Sequence, residues 1–301
     1  MTTSVTTSPT VPLAAAWRVA SDYASLTKPR IVELLLITTV PAMLAAAGGW
    51  PGGTLIAATV VGGALVSGSA HATNMVIDRD IDAAMRRTAH RPVPMGRISP
   101  TAALVFAGVL LAVGTGLLLL IAGWLAAALT VGAWAWYVGV YTLWLKRRST
   151  QNIVIGGVAG AAPPMIGWAA VTGRVGAPAL VLFAVVVLWT PIHFWSLAIG
   201  TGQDYARASV PMLPVVRSPA VAARHGMGYA LATVVTSLLL PLTGVGGVWY
   251  AVGATVLGVA FLVRTRGLLR RPEPESAWRA FHGCNVYLAV LFLLVAVTGW
   301  W

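Results

Sequence analysis

About nine stretches of this chain run for close to twenty residues with almost no charge: 31–48, 54–77, 101–122, 125–145, 153–172, 178–199, 225–244, 247–263 and 281–300. About twenty apolar residues is the length of a helix that crosses the hydrocarbon of a bilayer. Lipid offers no partner to an unpaired backbone group, so open sheets and irregular chain are excluded there. The repetition predicts an all-α fold, a polytopic membrane helical bundle of about nine transmembrane helices. Composition agrees. Only 9% of residues are charged and 58% are hydrophobic, against about a quarter charged in a soluble domain. Residues 28–301 are expected to form a single membrane-embedded domain. Residues 1–27 open polar and Ser/Thr-rich without a basic flank, and are expected to be a disordered cytoplasmic tail rather than a signal peptide. A single cysteine, Cys284, excludes an intramolecular disulfide framework or a cysteine metal cluster.

The net charge of +12 invites a nucleic-acid reading, which the placement of the charges removes. Every Lys and Arg except Arg174 falls in a segment on one side of the predicted bundle. This is the positive-inside pattern, with the N-terminus cytoplasmic and the C-terminus extracytoplasmic in the cell (inner) membrane. The acidic residues, Asp22, Glu33, Asp78, Asp80, Asp82, Asp204, Glu273 and Glu275, all lie on that side too, and the topology rule does not require this. The chemistry is therefore expected at the cytoplasmic face. A transporter would carry ionisable groups near the membrane midplane, where this sequence has almost none.

Three of those carboxylates stand within "NMVIDRDIDAAMRR", at the end of the second span. On a helix, Asn74, Asp78 and Asp82 at i, i+4 and i+8 share an arc of about 80° over about 12 Å, and Asp80 points about 200° away from Asp78. Carboxylates on adjacent turns repel unless a cation lies between them. Two hard carboxylates with an amide oxygen suit Mg²⁺, which completes its shell with water and phosphate. A solvated helix end paired with Arg79, Arg86 and Arg87 has the same spacing, and the spacing does not separate the two readings. The sixth span ends similarly, in "HFWSLAIGTGQDYARASVPMLPVV", with His193 inside the helix and Asp204, Tyr205 and Arg207 at its end.

The stretch Asn74-x-x-x-Asp78-x-x-x-Asp82 resembles the first aspartate-rich motif of the UbiA-type intramembrane prenyltransferases. The longer run "NMVIDRDIDAAMRRTAHRPVPMGRISP" is similar to the heme-farnesylating branch of that family. So are "DYASLTKPRIVELLLITTVPAM", "LKRRSTQNIVIGGVAGAAPPMIGWAAVTG" and the Asp204 stretch, which together cover most of residues 22–216. One departure is plain: Ala208 stands where many relatives carry a second carboxylate four residues after Asp204. That puts a second Mg²⁺ in question, with Tyr205 or Arg207 available for part of the work.

The resemblance implies transfer of farnesyl from farnesyl diphosphate to protoheme, with Mg²⁺ as cofactor and heme as substrate. It also implies a bilayer setting and, downstream, a heme A synthase or terminal-oxidase assembly as partner, with no nucleic acid. Asn74, Asp78, Asp82 and Asp204 are the candidate catalytic and metal residues. Lys28, Arg30, Lys146, Arg147 and Arg148, with Arg87 and Arg91, are candidate phosphate clamps, although any one arginine also serves as a topology marker. His71 and His193 are candidate heme contacts, or else helix histidines bonded to a neighbour. The aromatics of the fourth span, Trp134, Trp136, Tyr137, Tyr141 and Trp144, would shield an allylic cation or form an interfacial belt. Glycines in "NIVIGGVAGAAPPMIGW" would leave room for the prenyl chain or serve close helix packing. Competing readings are a prenyltransferase of the same fold acting on a quinone precursor, and a multi-span transporter.

Overall fold

A computed structural model describes residues 13–299 of the chain, with the side chains of residues 13–14 and 30–36 outside that description. Every regular element among the described residues is helical. In chain order they are α1 (Leu13–Leu26), α2 (Pro29–Ala47), α3 (Gly53–Ile77), α4 (Arg79–Ala84), α5 (Pro100–Ala122), α6 (Trp124–Leu145), α7 (Asn152–Thr172) and α8 (Ala177–Gly200). Then follow α9 (Gly202–Arg207), α10 (Leu213–Val216), α11 (Pro219–Thr243), α12 (Gly247–Arg270) and α13 (Pro274–Thr298). Eight of these are long and apolar enough to cross a membrane, and α2 adds a shorter described apolar stretch, Ile37–Ala47. The chain is a multi-pass helical membrane protein.

Two expectations change. Residues 13–26 are not a disordered tail but helix α1. Leu26 is fully buried beside Ala72 and Met75, the Tyr23 ring meets Phe106 edge-on at 5.1 Å, and Asp22 pairs with Arg97 at 3.0 Å. Those three anchors offset the entropy that would keep a polar tail disordered. Helices α11, α12 and α13 also extend past their apolar stretches. The Ser218 Oγ accepts from Val221 N–H at 3.2 Å and Pro219 takes the first helical position, so α11 starts earlier than expected. Capping serves orphan backbone donors whatever the hydropathy. The arginines ending α12 and the Glu275–Arg279 pair of α13 stay helical because Arg and Glu are good helix formers.

The long helices pack side by side. α2 lies against α7 and α13, α3 against α5, and α8 against α7, α11 and α13. The α3–α5 seam depends on two glycines. A methyl group on Gly114 would lie 2.8 Å from the Gly62 carbonyl oxygen and 2.9 Å from Leu65 Cβ. In α7, a Cβ at Gly156 would lie 2.3 Å from the Tyr141 ring and one at Gly167 2.7 Å from the Thr39 oxygen. These two glycines therefore serve close packing, not a slot. The second half of α6, Trp136–Leu145, is wound as a π-helix, with Lys146 N–H bonded to Tyr141 O at 2.9 Å. Widened turns of this kind redirect side chains and recur at functional sites.

Candidate active site

The polar centre forms where the N-terminus of α2 meets the C-termini of α3 and α6. Asp78 ends α3, and its carbonyl accepts from Asp82 N–H at 2.8 Å, so the helical path runs on into α4. The facing expected from helical geometry is therefore kept. The side chains of Asp78 and Asp82 are 0% and 4% exposed, while Asp80 is 62% exposed.

A chain of polar contacts joins the centre. Lys28 Nζ donates to Asn74 Oδ1 at 2.9 Å. The Asn74 amide donates to Asp78 Oδ2 at 2.7 Å and to Thr142 Oγ1 at 3.1 Å. Thr142 donates in turn to the Tyr137 carbonyl at 2.9 Å, a contact within the π-helical part of α6. Lys146 closes on Asp78, and Arg147 Nη2 stands 3.6 Å from Asp78 Oδ1. Arg91 pairs with Asp82 at 2.7 Å. Buried carboxylates require such partners, because an unpaired buried charge is strongly unfavourable.

The surrounding charges act back on each other. Enclosure beside Arg91 and Lys146 pushes the Lys28 ammonium down to about 7, since burial and like charge both oppose the ionised form. Lys28 also sits at φ 51, in left-handed backbone. Arg147 grips Asp80 with two bonds of 2.7 Å and holds that carboxyl down at about 2. The residues fit a divalent ion chemically. Asp78 and Asp82 supply hard oxygens, and Asp78 Oδ1 is buried with no hydrogen-bond partner. Among the described residues no three His, Cys, Asp or Glu side chains form a ready-made metal cluster; each buried carboxylate is paired with a basic side chain instead.

Asp204 lies against the loop that carries Arg86 and Arg87. It accepts the backbone N–H groups of Arg86 and Arg87, both at 3.3 Å, and Arg207 stands 3.8 Å away. Its carboxylate thus ties the arginine-bearing loop after α4 to the end of α8. Tyr205 is buried beside Arg87, and burial pushes its phenol up. Arg148 is exposed, and the Arg30 side chain lies outside the described residues. His71 is buried one turn before Asn74, edge-on to Tyr137 at 5.4 Å. His193 is elsewhere, stacked between Trp189 at 4.2 Å and Phe281 at 4.6 Å. The aromatics of α6 divide. Tyr137 and Tyr141 stack at 5.5 Å toward the polar centre, while Trp144 is exposed and Trp136 bonds the Ile155 carbonyl. Thr142 was not anticipated. It is uncharged within an apolar span, and only its contact with Asn74 identifies it.

Comparison with known proteins places this geometry in a family. The profile described as UbiA prenyltransferase family matches residues 35–296. A protein named protoheme IX farnesyltransferase, from Kineococcus radiotolerans, is 49% identical over 296 residues, covering 92% of this chain and 87% of its own length. A digeranylgeranylglyceryl phosphate synthase structure superposes with TM-score 0.77 at 19% identity, covering 93% of this chain and 98% of that one. A UbiA homolog from Archaeoglobus fulgidus, solved bound to GPP and Mg2+, superposes with TM-score 0.60 at 16% identity over 92% and 99% of the two chains. With the helix order, the buried Asn74–Asp78–Asp82 face and a profile match across most of its length, this chain belongs to the UbiA prenyltransferase family.

Proposed function

We propose that this chain transfers the farnesyl group of farnesyl diphosphate to a vinyl group of protoheme, making heme O and releasing diphosphate in an Mg²⁺-dependent reaction. The observation that carries the reading is the pair of buried carboxylates, Asp78 and Asp82, ringed by Lys28, Arg91, Lys146 and Arg147 at one end of the bundle. The name of the half-identical relative supports the acceptor. The homolog bound to GPP and Mg2+ supports the donor class and the metal.

Breaking the allylic carbon–oxygen bond leaves a cation on the prenyl chain and adds one negative charge to the departing diphosphate. Asn74, Asp78 and Asp82 would hold Mg²⁺, with Asp204 nearby through the Arg86–Arg87 loop. When bound, the ion neutralises charge developing on the leaving group. As the donor enters, Lys146, Arg91 and Arg147 exchange carboxylate for phosphate oxygens and Lys28 exchanges the Asn74 amide oxygen; once in place, such donors stabilise the charge that develops on the leaving group. Arg87, Arg148 and Arg30 are further phosphate contacts in this reading. The stacked faces of Tyr137 and Tyr141 shield the allylic cation. The vinyl π electrons then form the new carbon–carbon bond, and water completes the side chain with loss of a proton. His71 and His193, each with an unpartnered Nδ1, are the proposed heme contacts, with Tyr205 at the rim. The site faces the cytoplasm, and a heme A synthase or terminal-oxidase assembly takes the product.

The test is purified protein with farnesyl diphosphate and a panel of acceptors, with and without chelator. Farnesylated heme is expected only with divalent metal. Transfer to a hydroxybenzoate or quinone precursor but not to protoheme would overturn the acceptor. Undiminished transfer in chelator would remove the metal.

A further inference from the structure

Outside the buried carboxylates, on the exposed side of α4, lies a cleft of about 330 Å³ lined by Asp80, Ile81, Arg147, Arg207, Ser209 and Val210 among others. Neither Asp78 nor Asp82 lines it, although Arg147 borders both the cleft and the Asp78 carboxylate. Asp78 and Asp82 turn inward, and the acid that faces the cleft is Asp80. Two guanidinium groups meet one carboxylate there, so the lining is net cationic. Arg147 is already committed to Asp80 by its two short bonds. Arg207 is not so committed. It is half-exposed, and among the described residues its ion pair is with Asp204 at a loose 3.8 Å, while Asp204 is engaged with two backbone N–H groups. Ser209 adds an exposed hydroxyl at φ 53. Among the described residues, Lys28 and Ser209 are the two that are not glycine yet adopt left-handed backbone. Such strain persists where surrounding structure enforces it and clusters at ligand sites. One strained residue marks the carboxylate centre and the other marks the cleft.

We propose that this cleft, with Arg207 as its anchor and Ser209 beside it, binds a carboxylate of the acceptor. The inference rests on the protoheme reading and assigns the propionate edge of that substrate. The chemistry of the lining separates a carboxylate from the diphosphate. A trianion needs the denser cation cluster of Lys28, Lys146 and Arg91, on the buried side. A single carboxylate matches one loosely held guanidinium, which presents parallel N–H donors to two oxygens, together with a hydroxyl. Size agrees: the volume is at the low end for a ligand pocket and takes one edge of a tetrapyrrole, with Ile81 and Val210 against its apolar carbons. Anchoring the propionate edge at the aqueous rim turns the vinyl-bearing edge away from water, toward the membrane side of the site. Arg207 is thus a specificity residue.

The experiment compares protoheme with its dimethyl ester, in the full-length enzyme and in Arg207→Gln, at saturating farnesyl diphosphate. The ester should be farnesylated with an acceptor KM raised about tenfold, the scale of one lost charged hydrogen bond. Arg207→Gln should raise the protoheme KM by a similar factor, leave the ester KM unchanged and leave the KM for farnesyl diphosphate unchanged. Arg207→Lys should restore part of the protoheme affinity. Equal KM for ester and acid would overturn the carboxylate site while the protoheme reading stands. A raised KM for farnesyl diphosphate in Arg207→Gln would overturn it by assigning the cleft to diphosphate. Failure of both acid and ester as acceptors, with another acceptor prenylated, would overturn the protoheme reading and this site with it.

Discussion

Neutralising the three clustered aspartates one at a time separates a buried centre from a solvated helix end. Asp78→Asn is isosteric but removes the charge that compensates Lys146, whose side chain is only 14% exposed. Removing one partner of a buried pair costs about 3–5 kcal/mol, so a folded yet less stable protein is expected. Turnover should fall at least about a hundredfold, the scale of losing about 2.7 kcal/mol of electrostatic stabilisation. Asp82→Asn should behave alike through Arg91, at 2.7 Å. Asp80→Asn removes a pair whose members are 38% and 62% exposed, and exposed pairs contribute about 0.2–1 kcal/mol. Its turnover at saturating acceptor should stay within about threefold of the parent. The assays are thermal unfolding in detergent and initial rate of product formation on matched folded fractions. If Asp80→Asn proves as damaging as Asp78→Asn in both, the helical-face reasoning is wrong.

Four further outcomes follow. Thr142→Val keeps the volume but strips the hydroxyl between Asn74 and the Tyr137 carbonyl; it should cost about 1–3 kcal/mol and lower kcat about tenfold, while Thr142→Ser retains both, as rate and melting measurements will show. Gly114→Leu should open the α3–α5 seam and cost about 1–3 kcal/mol of overpacking or more, read as a lower melting temperature. Lys28 titrates near 7 when folded and at 10.5 by its ordinary value, so the unfolded chain holds more protons between those values. Stability of the metal-free protein should therefore rise with pH from about 7 to about 10, and Lys28→Met should flatten that slope in denaturation curves. A reporter fused after Trp301 should be extracytoplasmic; a cytoplasmic signal would mean a miscounted helix.

The membrane helices were legible because hydropathy reports bilayer thickness directly, and the direction of Asp80 away from Asp78 and Asp82 followed from helical period alone. What escaped has physical causes. Helix α1 is held by Leu26, Tyr23 and Asp22 through contacts with residues far along the chain, which no local pattern records. The C-terminus of α12 and the N-terminus of α13 carry charged residues, and hydropathy says nothing of helix continuation through them. Thr142 reads as one more small residue of an apolar span, and its role depends on Asn74, 68 residues earlier. Asp204 stood out as a scarce acid at the end of a span, but its use as a clasp for the Arg86–Arg87 backbone is a tertiary fact. The glycines of α7 could have meant either space or contact; Gly156 and Gly167 are contact.

The most direct test of the central claim measures two products in one vessel. Purified protein receives farnesyl diphosphate, Mg²⁺ and protoheme, and released diphosphate and porphyrin mass are followed together. Equimolar diphosphate and farnesylated, hydrated heme are expected, with both lost in Asp78→Asn. Diphosphate release without any change in porphyrin mass, or product formation that survives Asp78→Asn at the parent rate, would contradict the account.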